Sequence, residues 1–100
     1  MDSVFEVTFT QSALRDLHFL RTVEQRLVVA GIERESAAEP LRETRNRKPL
    51  RPNDLSAWEL RLGRFRVFYD VEEEERLIRI KAIGWKEGNT LFIGGEEFRL

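Results

Sequence analysis

The chemistry-bearing residues of this chain concentrate between Trp58 and Val71, where Trp-Glu-Leu-Arg-Leu-Gly-Arg-Phe-Arg-Val-Phe-Tyr-Asp-Val alternates apolar and polar side chains in two runs that meet at Gly63-Arg64. A glycine at the first central position of a two-residue loop supplies the positive φ of a type II′ hairpin. That turn sets Leu62 against Phe65, Arg61 against Arg66, Leu60 against Val67, Glu59 against Phe68 and Trp58 against Tyr69. Side chains alternate faces along a strand, so Trp58, Leu60, Leu62, Phe65, Val67, Tyr69 and Val71 share an apolar face, and Glu59, Arg61, Arg66 and Phe68 share the other. A third alternating run, Leu77 to Ile83, follows the acidic stretch Glu72 to Glu75. An even-length turn with Val71 opposite Arg76 puts Tyr69 beside Ile78, Val67 beside Ile80, Phe65 beside Ala82 and Lys81 beside Arg66. The result is a cationic row of Arg61, Arg66 and Lys81. Like charges directly across a ladder repel by a few tenths of a kcal/mol up to about 1, so the row suits a bound anion, and neutralising either arginine should leave the fold intact or slightly steadier.

These residues need elements to hold them. Val4 to Phe9 places Phe5, Val7 and Phe9 on one side and Glu6 and Thr8 on the other, a half-buried strand. Thr10 or Ser12 can cap a helix carrying Ala13, Leu14, Leu17 and Leu20, and Thr22-Val23-Glu24-Gln25 matches the capping box of a second helix, with a break near Arg21. The second helix is expected to run to about Ala38 and to stop before Pro40. Leu41 to Asp54, with Pro49 and Pro52 and no periodicity, reads as an extended basic loop that includes Lys48 and Arg51. Gly88-Asn89 marks a turn after the third long strand, and the remaining tail is compatible with a short edge strand or with no fixed structure. The order is therefore a strand, two helices, a basic loop and a three-strand antiparallel meander. That is a small single α+β domain over residues 1–100.

Composition narrows the function classes. A chain of 100 residues with 41% hydrophobic content supports one modest core. Its longest apolar run falls far short of the ~20 residues of a membrane span, and Asp2 and Glu6 stand where a secretory leader would be basic and then apolar. The expected location is the cytoplasm, with no membrane association. No cysteine is present and His18 is the lone histidine, which leaves no thiolate metal site and no histidine pair. His18 itself is expected at the surface. No metal and no cofactor are called for. The formal charge of −1 conceals a +5 stretch from Leu41 to Arg66 and five carboxylates between Asp70 and Glu75, a separation able to steer a polyanion to one surface.

The element order, together with Trp58-x-Leu60-Arg61-x-Gly63-x-Phe65-Arg66-Val67-x-Tyr69-Asp70-Val71 and Ile83-Gly84-x-Lys86, resembles the RelE/ParE family of toxins from bacterial type II toxin-antitoxin modules. The hairpin carries most of the likeness, and Phe9-Thr10-x-Ser12-Ala13 adds a weaker part. The resemblance implies helices on one face of an antiparallel sheet, a cognate antitoxin that wraps the toxin, and contact with operator DNA through the antitoxin complex. RelE-like members cut mRNA on the ribosome by metal-independent attack of the ribose 2′-OH, while ParE-like members poison DNA gyrase. On the RelE-like reading Arg61, Arg66 and Lys86 fall at basic catalytic positions, and Lys81, Arg64, Phe68, Lys48 and Arg51 are candidates for RNA contact, Phe68 by stacking on a base. Two departures stand out. Glu59 replaces a residue that is often basic, which makes it a candidate general base or a partner of Arg61 or Arg79, and Phe92 stands near where some members carry a catalytic tyrosine but cannot transfer a proton. The alternative is a gyrase inhibitor, or a degenerate toxin that binds only its antitoxin.

Overall fold

The computed structural model describes residues 4–36 and 39–100. Strand β1 (Glu6–Phe9) leads to helix α1 (Gln11–His18) and helix α2 (Thr22–Ser36). Six strands follow: β2 (Arg47–Pro49), β3 (Trp58–Leu62), β4 (Phe65–Glu72), β5 (Leu77–Glu87), β6 (Thr90–Ile93) and β7 (Glu96–Phe98). They form an antiparallel sheet in the order β2-β3-β4-β5-β6-β7, and β1 pairs in parallel with the first half of β5. Long β5 thus carries β1 along Leu77–Ile80 and β6 along Gly84–Glu87.

Local chemistry explains the helix boundaries. The Thr10 hydroxyl accepts from the Ala13 N–H at 3.1 Å, capping α1 as the sequence suggested. The break near Arg21 is present, but the second cap sits one residue earlier than the Thr22 box. Glu24 reaches back to the Arg21 N–H at 3.2 Å, so Arg21 occupies the cap and Thr22 begins the helix. The expected end of α2 near Ala38 lies outside the described residues. Ala13, Leu17, Leu20, Val28 and Ile32 turn inward, whereas Leu14 and His18 are exposed. Helix α1 packs on β5 and α2 against β3, where Gly31 lets Leu62 approach so closely that an added Cβ would stand 2.6 Å from it. The core between helices and sheet takes Leu60, Phe65, Val67, Tyr69, Ile78, Ile80 and Ile83 from the strands.

The hairpin has the register read from sequence, all five pairs included, with positive φ at Gly63. The next pairing does not. Glu72 faces Leu77 and Val71 faces Ile78 across a turn in which Arg76 adopts φ 53°, and a bulge then shifts the ladder between Phe68 and Tyr69. Tyr69 pairs with Ile80 and Phe68 with Ala82, leaving Lys81 as the extra residue, and Arg66 faces Gly84. An alternation count cannot reveal a bulge, because one inserted residue exchanges the faces beyond it.

The segment read as a plain basic loop contains β2, and Arg47 within it is buried. Its Nη1 donates to the carbonyls of Glu35 and Glu39, the latter at 2.7 Å, tying β2 to the carbonyl end of α2. The Tyr69 hydroxyl donates to the Pro40 carbonyl at 2.7 Å, and burial pushes its pKa well above the ordinary 10.0. The tail forms β6 and β7. Among the described residues no helix is long and apolar enough to cross a membrane.

Candidate active site

On the sheet face away from the helices, β3, β5, β2 and the last residues enclose a groove of about 540 Å³. Lys48, Leu50, Glu59, Arg61, Lys86, Asn89, Leu91, Glu97 and Arg99 are among its walls. Pairing explains the assembly. Lys48 sits across from Glu59, Arg61 lies two residues along from Glu59, and Lys86 reaches the same face from the far half of β5. Four sequence candidates therefore meet in one groove.

Glu59 is the carboxylate at its base. Its side chain is 7% exposed, with Arg61 Nε 3.5 Å from one oxygen and Arg66 Nε 3.7 Å from the other. The arginines are opposite each other, as the hairpin register required, but the row they form is Arg-Glu-Arg. Arg79, the other partner considered for Glu59, instead pairs with Glu72 at 2.9 Å. Arg61 is 41% exposed and available to a ligand, whereas Arg66 is 14% exposed. Arg66 Nη1 donates to the Gly63 carbonyl at 2.7 Å and the Phe65 carbonyl at 3.0 Å, while its Nε has no hydrogen-bond partner. Burial lowers the Arg66 pKa, Glu59 opposes that shift, and Arg61 adds to it.

Four candidates lie elsewhere. The turn register and the bulge together leave Lys81 away from Arg66, with its Nζ 3.9 Å from Asp70 Oδ2. Arg64 turns to the helix side, where it donates to Glu24 at 2.8 Å and covers the Phe65 ring. Phe68 is fully buried and has no face to offer a base. It joins Ala82 and Leu91 in a second apolar cluster, packed by Leu50, Leu55, Ile93 and Phe98. A sequence signal for that cluster existed: Phe68 interrupts the polar alternation of its own face, and Leu50 and Leu55 bracket the loop that covers it. Arg51 lines a separate cleft with Lys81. Phe92 stacks on Trp85 with ring centroids 5.7 Å apart. Arg99, in the groove beside Lys86, was not among the sequence candidates. Among the described residues no group of three His, Cys, Asp or Glu side chains is arranged to hold a metal ion.

No protein-family model matches the chain, and no curated protein does. A solved structure does: the toxin-antitoxin complex RelBE2 from Mycobacterium tuberculosis contains a chain of the same fold, with TM-score 0.73 and 30% sequence identity. The match covers 83% of this chain and 92% of that one. The fold and the match define a small toxin of a toxin-antitoxin system. The chain belongs to the RelE family.

Proposed function

We propose that this toxin is a ribosome-dependent endoribonuclease that arrests translation by cutting mRNA, with a cognate antitoxin as its protein partner and operator DNA reached through that complex. The observation that carries the reading is the convergence of Glu59, Arg61, Lys86 and Lys48 on one groove. Glu59 takes the proton of the ribose 2′-OH, and the 2′-oxygen attacks the adjacent phosphorus. Arg61 stabilises the charge that grows on the phosphoryl oxygens. Lys86 donates a proton to the 5′-oxygen as its bond to phosphorus breaks, leaving a 2′,3′-cyclic phosphate and a 5′-hydroxyl. Arg66 acts as a positioning residue, because its side chain is mostly covered and holds the carboxylate that faces the substrate. Lys48 contributes charge toward the RNA backbone.

Primer extension on RNA from induced cells tests the reading. Breaks at ribosome-positioned sites, absent with Arg61→Gln, are the expected result. Intact mRNA with supercoiling-defective DNA would assign the protein to gyrase inhibition, and neither effect would leave a toxin that only binds its antitoxin.

A further inference from the structure

The cleft lined by Arg51 and Lys81 is a second site on the same face. It measures about 410 Å³, within the range of small-ligand pockets. Its rim is built before any ligand arrives. Asn53 Oδ1 accepts from the N–H groups of Leu55 at 2.6 Å and Ser56 at 3.0 Å, and its amide donates to the carbonyls of Arg51 and Ser56. Leu50 and Leu55 pin the loop to the Phe68 cluster. Leu50 also lines the reaction groove, so the two spaces adjoin. Arg66 and Asp70 are four residues apart along β4, about 13 Å at the rise of a strand. One phosphate cannot span that distance.

Charge decides what fits. Arg51 and Lys81 face Asp54 and Asp70, so the cleft is balanced and does not suit a bare anion. Asp70 Oδ1 accepts from the Ala57 N–H at 2.7 Å, while Oδ2 lies 3.9 Å from Lys81 Nζ and makes no hydrogen bond with it. The turn register sets Tyr69 opposite Ile80, and the bulge then leaves Lys81 as the extra residue, near Asp70; bulges beside functional sites commonly re-aim a side chain in this way. A nucleotide carries both complements, a phosphate for the cations and base donors for a carboxylate.

We infer that this cleft is a nucleotide subsite for a message residue flanking the cut, with Asp70 Oδ2 accepting from an exocyclic amino group and Arg51 and Lys81 holding the attached phosphate. The inference rests on the endoribonuclease reading. It gives the enzyme a preference for A, C or G over U at one flanking position, since uracil offers no amino donor.

The test is cleavage of ribosome-bound messages in which each base is varied in turn on both sides of the cut. The wild-type protein should discriminate against U at one position roughly five- to tenfold in kcat/KM. Asp70→Asn keeps the acceptor for Ala57 and turns the other oxygen into a donor, for which every base has an acceptor, so it should abolish that preference. Arg51→Gln with Lys81→Gln should raise KM with kcat unchanged. It should also remove the gain in affinity of free single-stranded RNA on lengthening from two nucleotides to six. Cleavage without base preference, or a preference that Asp70→Asn leaves in place, overturns the subsite and spares the endoribonuclease reading. Loss of ribosome affinity with the free-RNA gain intact assigns the cations to ribosomal RNA and also overturns it. A wild-type protein that cuts nothing overturns both.

Discussion

Glu59 changes what Arg61 and Arg66 mean. Two arginines across a ladder with nothing between them would weaken the hairpin, and either could be neutralised at no cost. With a 7% exposed carboxylate between them the attraction outweighs the mutual repulsion, and only Arg61 retains substantial exposure. The two substitutions should therefore differ. Arg61→Gln should cost no more than about 1 kcal/mol, because the Arg61 side chain is 41% exposed and Arg66 still faces the Glu59 carboxylate, and should abolish toxicity. Arg66→Gln should cost about 1–3 kcal/mol, because it removes donors to the Gly63 and Phe65 carbonyls and leaves Glu59 short of a partner. Chemical denaturation beside a growth assay checks both, and equal stability of the two variants would contradict the assignment. Asp16 supports the domain from the helix side. Its Oδ2 accepts from the Ile83 N–H at 3.1 Å, and burial raises its pKa above the ordinary 3.8 despite that bond and the charge of Arg15. A carboxyl with a raised pKa binds protons more tightly when folded, so its contribution is fully present below about 3.8 and declines as pH rises through the folded value. Asp16→Asn keeps an acceptor for Ile83 but cannot ionise. The stability of the variant minus that of the wild type should rise with pH from about 3.8 and then level off in urea titrations, where a flat difference would show no shift at this site.

At the scale of elements, what was legible in the sequence was what repeats. The period-2 pattern with Gly63 defined the hairpin and both its faces, and Thr10, one of two candidate caps beside Ser12, marked the start of α1. The β4–β5 register was not legible, since the acidic turn has no unique length and the bulge breaks the period that would have revealed its own position. Lys81 was misplaced for that reason, and Phe68 because the cover over its face comes from a loop whose only signals are Leu50 and Leu55. Strand β2 and buried Arg47 were hidden by composition, because a basic side chain among basic neighbours reads as solvated. Of the groove, Glu59, Arg61, Lys86 and Lys48 were all named from sequence, but their meeting depends on β2 and the long reach of β5. Gly84 secures that reach, because an added Cβ would stand 2.1 Å from the Phe92 carbonyl oxygen, which belongs to backbone that cannot rotate away. Gly84→Ala should force β6 outward, cost about 1–3 kcal/mol as overpacked sites do, and shift Lys86 with it. Thermal melts should show the loss, and an unchanged melting point would mean that β6 yields without strain.

The whole molecule presents two unlike surfaces to the proposed antitoxin. One is the sheet face with its groove, where the cationic side chains of Lys48, Arg61, Lys86 and Arg99 outnumber the carboxylates of Glu59 and Glu97. The other is the helix face, where Phe19 at 58%, Val23 at 57% and Leu27 at 62% expose apolar side chains. A partner that silences the proposed nuclease needs to reach the first, and acidic side chains are the complement of that field. Edge strands β2 and β7 both border the groove, offering backbone groups to which an extended segment can add. Cationic surfaces with exposed side chains are screened over roughly 8–10 Å at ordinary ionic strength, so affinity for the antitoxin should fall steadily as salt is raised, mainly through the association rate. Titration calorimetry across a salt series, with Lys48→Gln and Arg99→Gln as variants, measures this. Both variants should weaken binding at low salt and converge with the wild type at high salt. Affinity that does not respond to salt, and that Leu27→Ser lowers instead, would place the antitoxin on the helices and leave the groove open in the complex.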